Sequence, residues 1–290
     1  MTQKFEAVLF DCDGVLVDSE PITNGVLREM LNEQGWPITP AECMRIFIGK
    51  AVKDEAATIE AHTGKPLTEA WLAEFRERRN LRLHAELVAV QDAVDAVRHI
   101  HAAYQGRIAC CSGADRGKVE LQLHKVGLLP FFEGRIFSGH EMPRSKPAPD
   151  VYLAAMAQLG VQADRCAVVE DTPTGVTAGV AAGATVFGYS PPEPGHGTPE
   201  DLRRAGAVQL FTGMALLPEL VEAFFPLASA SGAEWLTLAL PAGDTRLKVL
   251  RRRFTTRAWP SRLYRVSWPE QSAFDFVSRE RRFLPEVALL

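Results

Sequence analysis

Two aspartates stand two positions apart where an apolar run ends near the N-terminus. The run AVLF at 7–10 predicts a buried strand, and Asp11 and Asp13 lie in the loop that leaves its carboxyl end. Open α/β sheets bind their ligands at that end of the strands. Two carboxylates that face the same way repel each other unless a cation or a shared proton relieves the charge. The pair therefore indicates a metal site or, alternatively, a solvated turn in which the aspartates cap the loop.

A second pair of acidic residues ends another predicted strand. The apolar run CAVV at 166–169 is followed directly by Glu170 and Asp171. The repulsion between adjacent carboxylates is then the same problem as in the first loop, and one divalent cation shared by both loops would resolve it. Hard oxygen ligands of this kind suit Mg²⁺, so we expect this ion as the cofactor.

A hydroxyl and an ammonium group complete the candidate chemistry. Ser112 and Gly113 follow an apolar strand predicted at 107–111 and precede a helix, which makes them a natural seat for an anion. Ser-Gly after a strand is also a common helix cap and turn, so both interpretations stay open. Lys146 lies among prolines in the run SKPAPD, whose stiff backbone favours an ammonium group held in one direction.

The elements that must position these residues follow a simple order. Helical spacing of apolar residues predicts an all-helical insertion from about 21 to 87, with helices near 40–47, 51–62 and 68–84. Strands and helices then alternate to about residue 224. We interpret the insertion as a cap domain, although periodicity alone fits a structural four-helix subdomain equally well.

Four motifs, in order, resemble those of the haloacid dehalogenase-like phosphatase superfamily, in the subfamily with a helical cap. They are DCDGVLVDSE, the Ser-Gly pair, RSKPAPDVYLAA and VVEDTPTGVTAGVAAG, and the resemblance covers about residues 1–225. It implies an α/β fold, a doubly wound Rossmann-like parallel sheet with an inserted α-helical cap domain. On this basis residues 1–19 and 88–226 form the core and residues 20–87 form the cap.

The resemblance also implies a role for each motif residue. Asp11 would be the nucleophile and Asp13 the general acid and base. Ser112, with Gly113, would hold a phosphoryl oxygen, and Lys146 would bridge the nucleophile and the phosphoryl group. The reaction implied is hydrolysis of a phosphomonoester through an aspartyl-phosphate.

The metal ligands and the substrate contacts of the cap follow from the same resemblance. Asp11 and Asp171 would coordinate Mg²⁺ by their side chains and Asp13 by its backbone carbonyl, with Glu170 as a direct or indirect ligand. In the cap, related phosphatases often carry a glycine followed by a basic residue that faces the active site. Here that feature corresponds to Gly49, and the basic side chains predicted to contact substrate are those of Lys50 and Lys53.

Three rival functions differ in one or two features. Dehalogenases of the superfamily lack the second aspartate of the first loop, which Asp13 supplies. Sugar-phosphate mutases of the β-phosphoglucomutase type carry a histidine where this chain has Thr23, so a phosphatase is favoured. A catalytically silent binding protein is the remaining reading. The motifs look most like bacterial sugar-phosphate phosphatases, including those for 6-phosphogluconate or 2-deoxyglucose 6-phosphate, with phosphoglycolate phosphatase as the runner-up.

Composition bounds the remaining expectations. The chain has 290 residues, 47% hydrophobic and 23% charged, and no apolar run approaches the roughly 20 residues that span a bilayer. Five cysteines without a CxxC pair favour reduced thiols. No secretory leader is apparent, so we expect a cytoplasmic monomer or homodimer that binds a small phosphorylated metabolite, with no nucleic-acid or membrane partner.

The last stretch, residues 227–290, differs from the rest. It holds 11 Lys and Arg against 6 Asp and Glu, and three of the five tryptophans, in a chain whose net charge is −4. A basic arm that touches an anionic surface is one reading. The mixture without a pattern favours disordered or foreign sequence instead.

Overall fold

A computed structural model of the chain describes residues 4–47, 52–192 and 197–224, together with the strands at 234–239, 246–251, 263–267 and 274–277. The chain divides into two compact units, Met1–Glu222 and Ala223–Leu290. The predicted boundaries of the core, the cap and the tail stay predictions.

A six-stranded parallel sheet forms the centre of the first unit. Its strands are β1 (Ala7–Phe10), β2 (Ile108–Ser112), β3 (Ile136–Ser138), β4 (Cys166–Glu170), β5 (Thr185–Tyr189) and β6 (Gln209–Phe211). The spatial order is β3-β2-β1-β4-β5-β6, with every pair parallel. The strand order reverses between β1 and β4, and such a switch point opens a crevice at the carboxyl ends of the two strands. The predicted doubly wound α/β sheet is confirmed.

Burial explains why these segments are strands. All residues of β1, β2 and β4 are buried, as expected for parallel strands that helices cover on both faces. The covering helices are α5 (Ala93–Ala103), α6 (Arg116–Lys125), α7 (Leu129–Phe132), α8 (Asp150–Leu159), α9 (Pro173–Ala181), α10 (Pro199–Ala205) and α11 (Leu217–Glu222). The short helices α7 and α10 are not among those predicted, because too few residues carry a helical period there.

The segment between β1 and α5 is helical, as the periodicity predicts. It comprises α1 (Glu20–Glu33), α2 (Pro40–Phe47), a 3₁₀ turn at Val52–Glu55, α3 (Ala56–Thr63) and α4 (Glu69–Glu86). These helices bury a hydrophobic cluster of their own, which includes Leu27, Met30, Phe47, Trp71 and Phe75. A separate apolar core is what an inserted cap domain requires.

The loop between β1 and α1 folds back on itself. Asp13 and Val17 form a β-bridge, and Val17 forms a second bridge with Ala89, where the chain leaves the helical segment. The positive φ of Gly14, 79°, allows the turn. The loop therefore holds the first aspartate pair in a fixed, compact arrangement.

The second unit contains a four-stranded antiparallel sheet. Its strands are β7 (Glu234–Ala239), β8 (Arg246–Arg251), β9 (Leu263–Ser267) and β10 (Phe274–Val277), in the spatial order β10-β9-β8-β7. The reading of residues 227–290 as disordered or foreign sequence stays a prediction.

Across the described part of the chain, we find no helix whose length and apolar character would let it cross a bilayer. Residence in the cytoplasm stays a prediction.

Candidate active site

A cavity of about 370 Å³ lies at the carboxyl ends of β1 and β2, beside the loop that follows β3. Most of the predicted site residues line it: Asp11, Asp13, Lys53, Ser112, Gly113 and Lys146. Glu170, which contacts Lys146, and its neighbour Asp171 are both buried, with 1% of each exposed. Gly49 and Lys50 lie outside the described residues. Tertiary structure thus brings together residues that are up to 160 positions apart in sequence, from Asp11 to Asp171.

Three carboxylates converge under the cavity. One oxygen from each of Asp11, Glu170 and Asp171 lies within 4.8 Å of the others. Burial raises the pKa of Asp11 and of Asp171 well above the usual range, and the neighbouring Glu170 carboxylate raises both further. Their mutual repulsion is the expected property of a site that binds a cation.

Lys146 partly offsets this negative charge. Its Nζ donates to Asp11 Oδ1 at 2.5 Å, to Glu170 Oε1 at 2.6 Å and to the Cys111 carbonyl at 2.8 Å. Burial alone would lower the pKa of Lys146, but the two carboxylates outweigh it and raise the pKa well above its usual range. The ammonium group is therefore charged and fixed against Asp11.

Glu170 has hydrogen-bond donors on both oxygens. Besides Lys146, the Tyr152 hydroxyl donates to Oε1 at 2.7 Å, and the Asp171 N–H donates to Oε2 at 3.2 Å. A Cβ at Gly175 would collide with this carboxylate, so α9 approaches it closely only because that residue is glycine. Glu170 is thus held in place within the cluster and orients Lys146.

Asp13 lies in different surroundings from Asp11. Its Oδ1 accepts from Lys118 Nζ at 2.7 Å, from Gln122 Nε2 at 2.7 Å and from the Ser19 hydroxyl. Burial alone would raise the pKa of Asp13, but Lys118 and these hydrogen bonds lower it to about 2. The charge of Asp13 is therefore balanced by a lysine rather than by the shared cation that its spacing from Asp11 suggests, because α6 brings an ammonium group to it.

Ser112 combines its two interpretations. Its Oγ accepts from the Ala114 N–H at 3.0 Å, as in a turn that begins a helix. The same side chain lines the cavity beside Gly113. A hydroxyl that accepts one hydrogen bond still has its proton to donate, so Ser112 can also bind a ligand oxygen.

Basic side chains line the cavity on the side of the helical segment. Arg79 of α4 pairs with Asp115, the N-cap residue of α6, at 3.1 Å. Lys53 and Arg76 also line the cavity, and neither has an ion-pair partner among the residues that the structure describes. Burial lowers the pKa of His140, and the positive charges of Lys53, Arg76 and Arg79 lower it further. This wall of the cavity therefore carries three basic side chains, Lys53, Arg76 and Arg79, beside the acidic Glu20, Asp54 and Glu55.

Sequence reasoning missed several of these residues. Lys118 and Gln122 stand at i and i+4 in a predicted helix, on the face that also carries Val119 and Leu123. Two polar residues on an otherwise apolar face of a helix could have indicated a buried polar contact here. Arg76 and Arg79 looked like ordinary surface charges on a long helix, and nothing local distinguishes them.

The donor set fits a divalent cation. Three buried carboxylates against one ammonium leave an excess of two negative charges among Asp11, Glu170, Asp171 and Lys146. Oxygen ligands without nitrogen or sulfur suit Mg²⁺. A Cβ at Gly14 would collide with the Asp171 carboxylate, so glycine at this position lets the two acidic loops meet.

Comparison with known proteins agrees with this geometry. The family model for haloacid dehalogenase-like hydrolases matches residues 5–183. The chain is 30% identical to the 6-phosphogluconate phosphatase of Escherichia coli (strain K12) over 221 residues, which cover 76% of this chain and 96% of the relative. It is 31% identical to hexitol phosphatase A of the same strain over 187 residues, or 63% and 82% of the two chains.

Solved structures show the same similarity. A haloacid dehalogenase-like protein from Agrobacterium tumefaciens superimposes with a TM-score of 0.65 at 32% identity, over 76% of this chain and 98% of the other. A hydrolase of the same family from Deinococcus radiodurans, solved with bound phosphate and sodium, gives 0.60 at 35% identity, over 74% and 94%. Fold, motifs and relatives thus agree: this chain belongs to the haloacid dehalogenase-like hydrolase family and is one of its phosphatase enzymes.

Proposed function

We propose that this protein is a Mg²⁺-dependent phosphatase that hydrolyses a sugar phosphate or sugar-acid phosphate through an aspartyl-phosphate intermediate. One observation carries the proposal: the Lys146 ammonium group touches both Asp11 and Glu170, two of the three buried carboxylates that converge in the site. Phosphoryl transfer depends mainly on positioning and on neutralised charge, and this arrangement supplies both.

In the first step, an Asp11 oxygen attacks phosphorus and the bond to the leaving alcohol breaks. Lys146 stays against Asp11 and balances the charge on the nucleophile and on the phosphoryl oxygens. The Ser112 hydroxyl donates a hydrogen bond to one of these oxygens. Asp13 passes a proton to the leaving alcohol. Since the pKa of Asp13 is about 2, that proton has to arrive with the substrate or with water.

In the second step, Asp13 acts as a base. Its carboxylate removes a proton from the water that attacks the aspartyl-phosphate, and inorganic phosphate and free Asp11 result. A low pKa suits this role, because Asp13 is then ionised at neutral pH. Closure of the helical cap would exclude bulk water during the first step.

The metal would be held by the side chains of Asp11 and Asp171 and by the backbone carbonyl of Asp13, with Glu170 as a direct or indirect ligand. When bound, Mg²⁺ supplies positive charge beside the phosphoryl oxygens and the nucleophile. The excess negative charge of the cluster supports this assignment.

The basic side chains that line the cavity favour a substrate with a second anionic group. Lys53 and Arg76 line the cavity without an ion-pair partner in the described part of the chain, and Arg79 lies beside them. A carboxylate distant from the phosphate would satisfy them, which favours sugar-acid phosphates over neutral polyol phosphates. The relative that acts on 6-phosphogluconate agrees with this preference. Phosphoglycolate, which also carries a carboxylate, is the second candidate.

The mutase alternative lacks the cap-side histidine that serves mutases as acid and base. Thr23 lines the cavity at that position, and its buried Oγ1 has no hydrogen-bond partner among the described residues. A hydroxyl does not exchange protons near neutral pH as an imidazole does. This difference supports net hydrolysis.

A Mg²⁺-dependent screen of phosphomonoesters, read by released phosphate, tests the proposal. The informative pair is 6-phosphogluconate and sorbitol 6-phosphate, which differ mainly in the carboxylate, with phosphoglycolate as a third substrate. We expect hydrolysis of 6-phosphogluconate to be fastest and to stop when the metal is chelated. Absence of hydrolysis of any of them, and of p-nitrophenyl phosphate, would support the silent binding protein.

A variant at the charged wall tests the substrate class. Arg76→Met should lower kcat/KM for 6-phosphogluconate about tenfold, because one charge-assisted contact contributes about 1.5 kcal/mol or more. The kcat/KM for sorbitol 6-phosphate should stay nearly the same. Arg78→Met is the matched control, since Arg78 stands on the same helix but pairs with Glu33 outside the cavity. Equal losses on both substrates would contradict the assignment.

A further inference from the structure

The carboxylate of Asp13 is held by one of its two oxygens. Lys118, Gln122 and Ser19 all donate to Oδ1, with the first two at 2.7 Å. Oδ2 has no hydrogen-bond or ion-pair partner within the described residues, and Asp13 lines the cavity. Oδ1 therefore anchors the carboxylate, whereas Oδ2 is available to a ligand.

The donors on Oδ1 come mainly from α6. Lys118 and Gln122 are one helical turn apart, and both are buried, at 6% and 0% exposure, beside the apolar Val119 and Leu123. A buried ammonium group and a buried amide are costly unless every polar atom finds a partner. Apolar side chains would fill this face of α6 more favourably if only stability were involved.

Cys12 fixes the direction of the Gln122 amide. Its Sγ donates to Gln122 Oε1 at 3.4 Å, so the NH₂ group of the amide faces Asp13. Several influences raise the pKa of the Cys12 thiol well above its usual range, among them a hydrogen bond with Cys110 and burial, so the thiol keeps its proton. Cys12, which lies between the two aspartates in sequence, thus contributes to the arrangement and is more than a small packing residue.

We propose that Lys118 is a positioning residue for Asp13: together with Gln122 it clamps Oδ1 and turns Oδ2 toward the cavity as the atom that exchanges protons. This inference rests on the proposed function. Oδ2 first takes up a proton from the monoanionic phosphate of the substrate or from water. As the Asp11–phosphorus bond forms and the bond to the leaving oxygen breaks, that proton passes to the leaving oxygen. Oδ2 then takes one proton from the attacking water, whose oxygen replaces Asp11 on phosphorus.

A positioning role predicts a dependence on the leaving group. A phenolate of pKa about 10 needs a proton as it leaves, whereas p-nitrophenolate is a weak base and needs little help. A less firmly held Asp13 should therefore slow the hydrolysis of phenyl phosphate more than that of p-nitrophenyl phosphate. A purely structural role of Lys118 would lower the rates on both substrates by the same factor.

The experiment compares kcat/KM of Lys118→Met with the wild type on phenyl phosphate and p-nitrophenyl phosphate, each with Mg²⁺. We expect a loss of about 100-fold on phenyl phosphate and less than about threefold on p-nitrophenyl phosphate. Lys118→Arg should restore most of the difference. Lys125→Met is the matched control, because Lys125 is exposed at the end of the same helix and its ammonium group hydrogen-bonds the Ala85 carbonyl, away from Asp13. Its kcat/KM should equal that of the wild type on both substrates.

Gln122→Met gives a second readout, which matters if Lys118→Met does not fold. It removes a neutral donor from the same oxygen and should show the same selective loss, to a smaller degree. Equal losses on the two substrates in the folded variants, or no loss, would overturn the inference while wild-type turnover upholds the proposed function. A wild type inactive on every phosphomonoester would overturn both.

Discussion

At the scale of single residues, one loop gives two aspartates opposite electrostatic surroundings. Asp11 faces Glu170 and Asp171, and burial together with their charges raises its pKa. Asp13 faces Lys118, and its pKa falls to about 2. Asp11 shares the charge of Lys146 with Glu170, so its charged form needs a further cation, whereas Asp13 is ionised with Lys118 as its counter-charge. This difference matches the separate roles of a nucleophile beside a metal and a base.

The first prediction concerns Asp11. Asp11→Asn should lower turnover by more than about 10³-fold, because an amide cannot form the aspartyl-phosphate. The protein should stay folded, since the substitution removes one of three mutually repelling carboxylates. Released phosphate and the circular dichroism melting curve measure the two effects.

Two further measurements complete this test. Asp150→Asn, outside the cavity and paired with the exposed Arg144, is the control for loss of a carboxylate and should keep full activity. Full activity of Asp11→Asn itself would show that another residue is the nucleophile.

At the scale of elements, the site depends on how closely the loops after β1 and β4 approach each other. Gly14 lies against the Asp171 carboxylate, and Gly175 at the start of α9 lies against Glu170. Side chains at either glycine would separate the acidic residues. The two glycines therefore determine the spacing of the cluster as directly as the carboxylates do.

The second prediction follows from Gly14. Gly14→Ala should lower the free energy of unfolding by about 1–3 kcal/mol, because its φ of 79° strains any other residue and the added Cβ meets Asp171. The variant should also lose Mg²⁺-dependent activity. Urea unfolding and released phosphate are the measurements.

Gly25→Ala is the matched comparison for this prediction. Gly25 lies within α1, where an added Cβ would have nothing within 4 Å. Alanine should therefore stabilise the helix by about 0.5–1 kcal/mol and leave activity unchanged. An effect of the same sign at both glycines would argue against the proposed contact.

The third prediction concerns the five cysteines. All five thiols are buried, and burial raises the pKa of Cys43 to about 11 and of Cys166 to about 12. A raised pKa keeps a thiol protonated, and the thiolate is the reactive form. The native protein should therefore not react with a disulfide reagent at pH 8, whereas five thiols should react in guanidinium. Fast reaction of the native protein would contradict the described burial.

At the scale of the whole molecule, the described site belongs to the first unit. Every described residue that lines the cavity lies between Asp11 and Gly175, and the acidic cluster lies there too. Hydrolysis should therefore depend on the first unit alone.

The fourth prediction tests that independence. Removal of residues 227–290 should leave kcat/KM within about twofold of the full chain, because all the described residues that line the cavity are kept. The same truncation in an Asp11→Asn background provides the blank. A collapse of solubility or of rate would show that the last stretch has a function in the enzyme.

Sequence alone determined the outline of this protein. The apolar runs at 7–10 and 166–169 end in acidic residues, and parallel strands present their carboxyl ends at one edge of a sheet, so the meeting of Asp11 with Glu170 and Asp171 was predictable. Lys146 was predictable from the order of the motifs. Each of these inferences uses local patterns and one rule of sheet topology.

Only the tertiary structure decided which counter-charge each carboxylate receives. The contact of Asp13 with Gln122 spans 109 positions, and the contact of Asp13 with Lys118 depends on how α6 packs against the first loop. The fold of the helical segment likewise places Arg76 and Lys53 in the cavity lining. Electrostatic surroundings are set by neighbours in space, and the side-chain type at one position does not specify which distant residue will lie beside it.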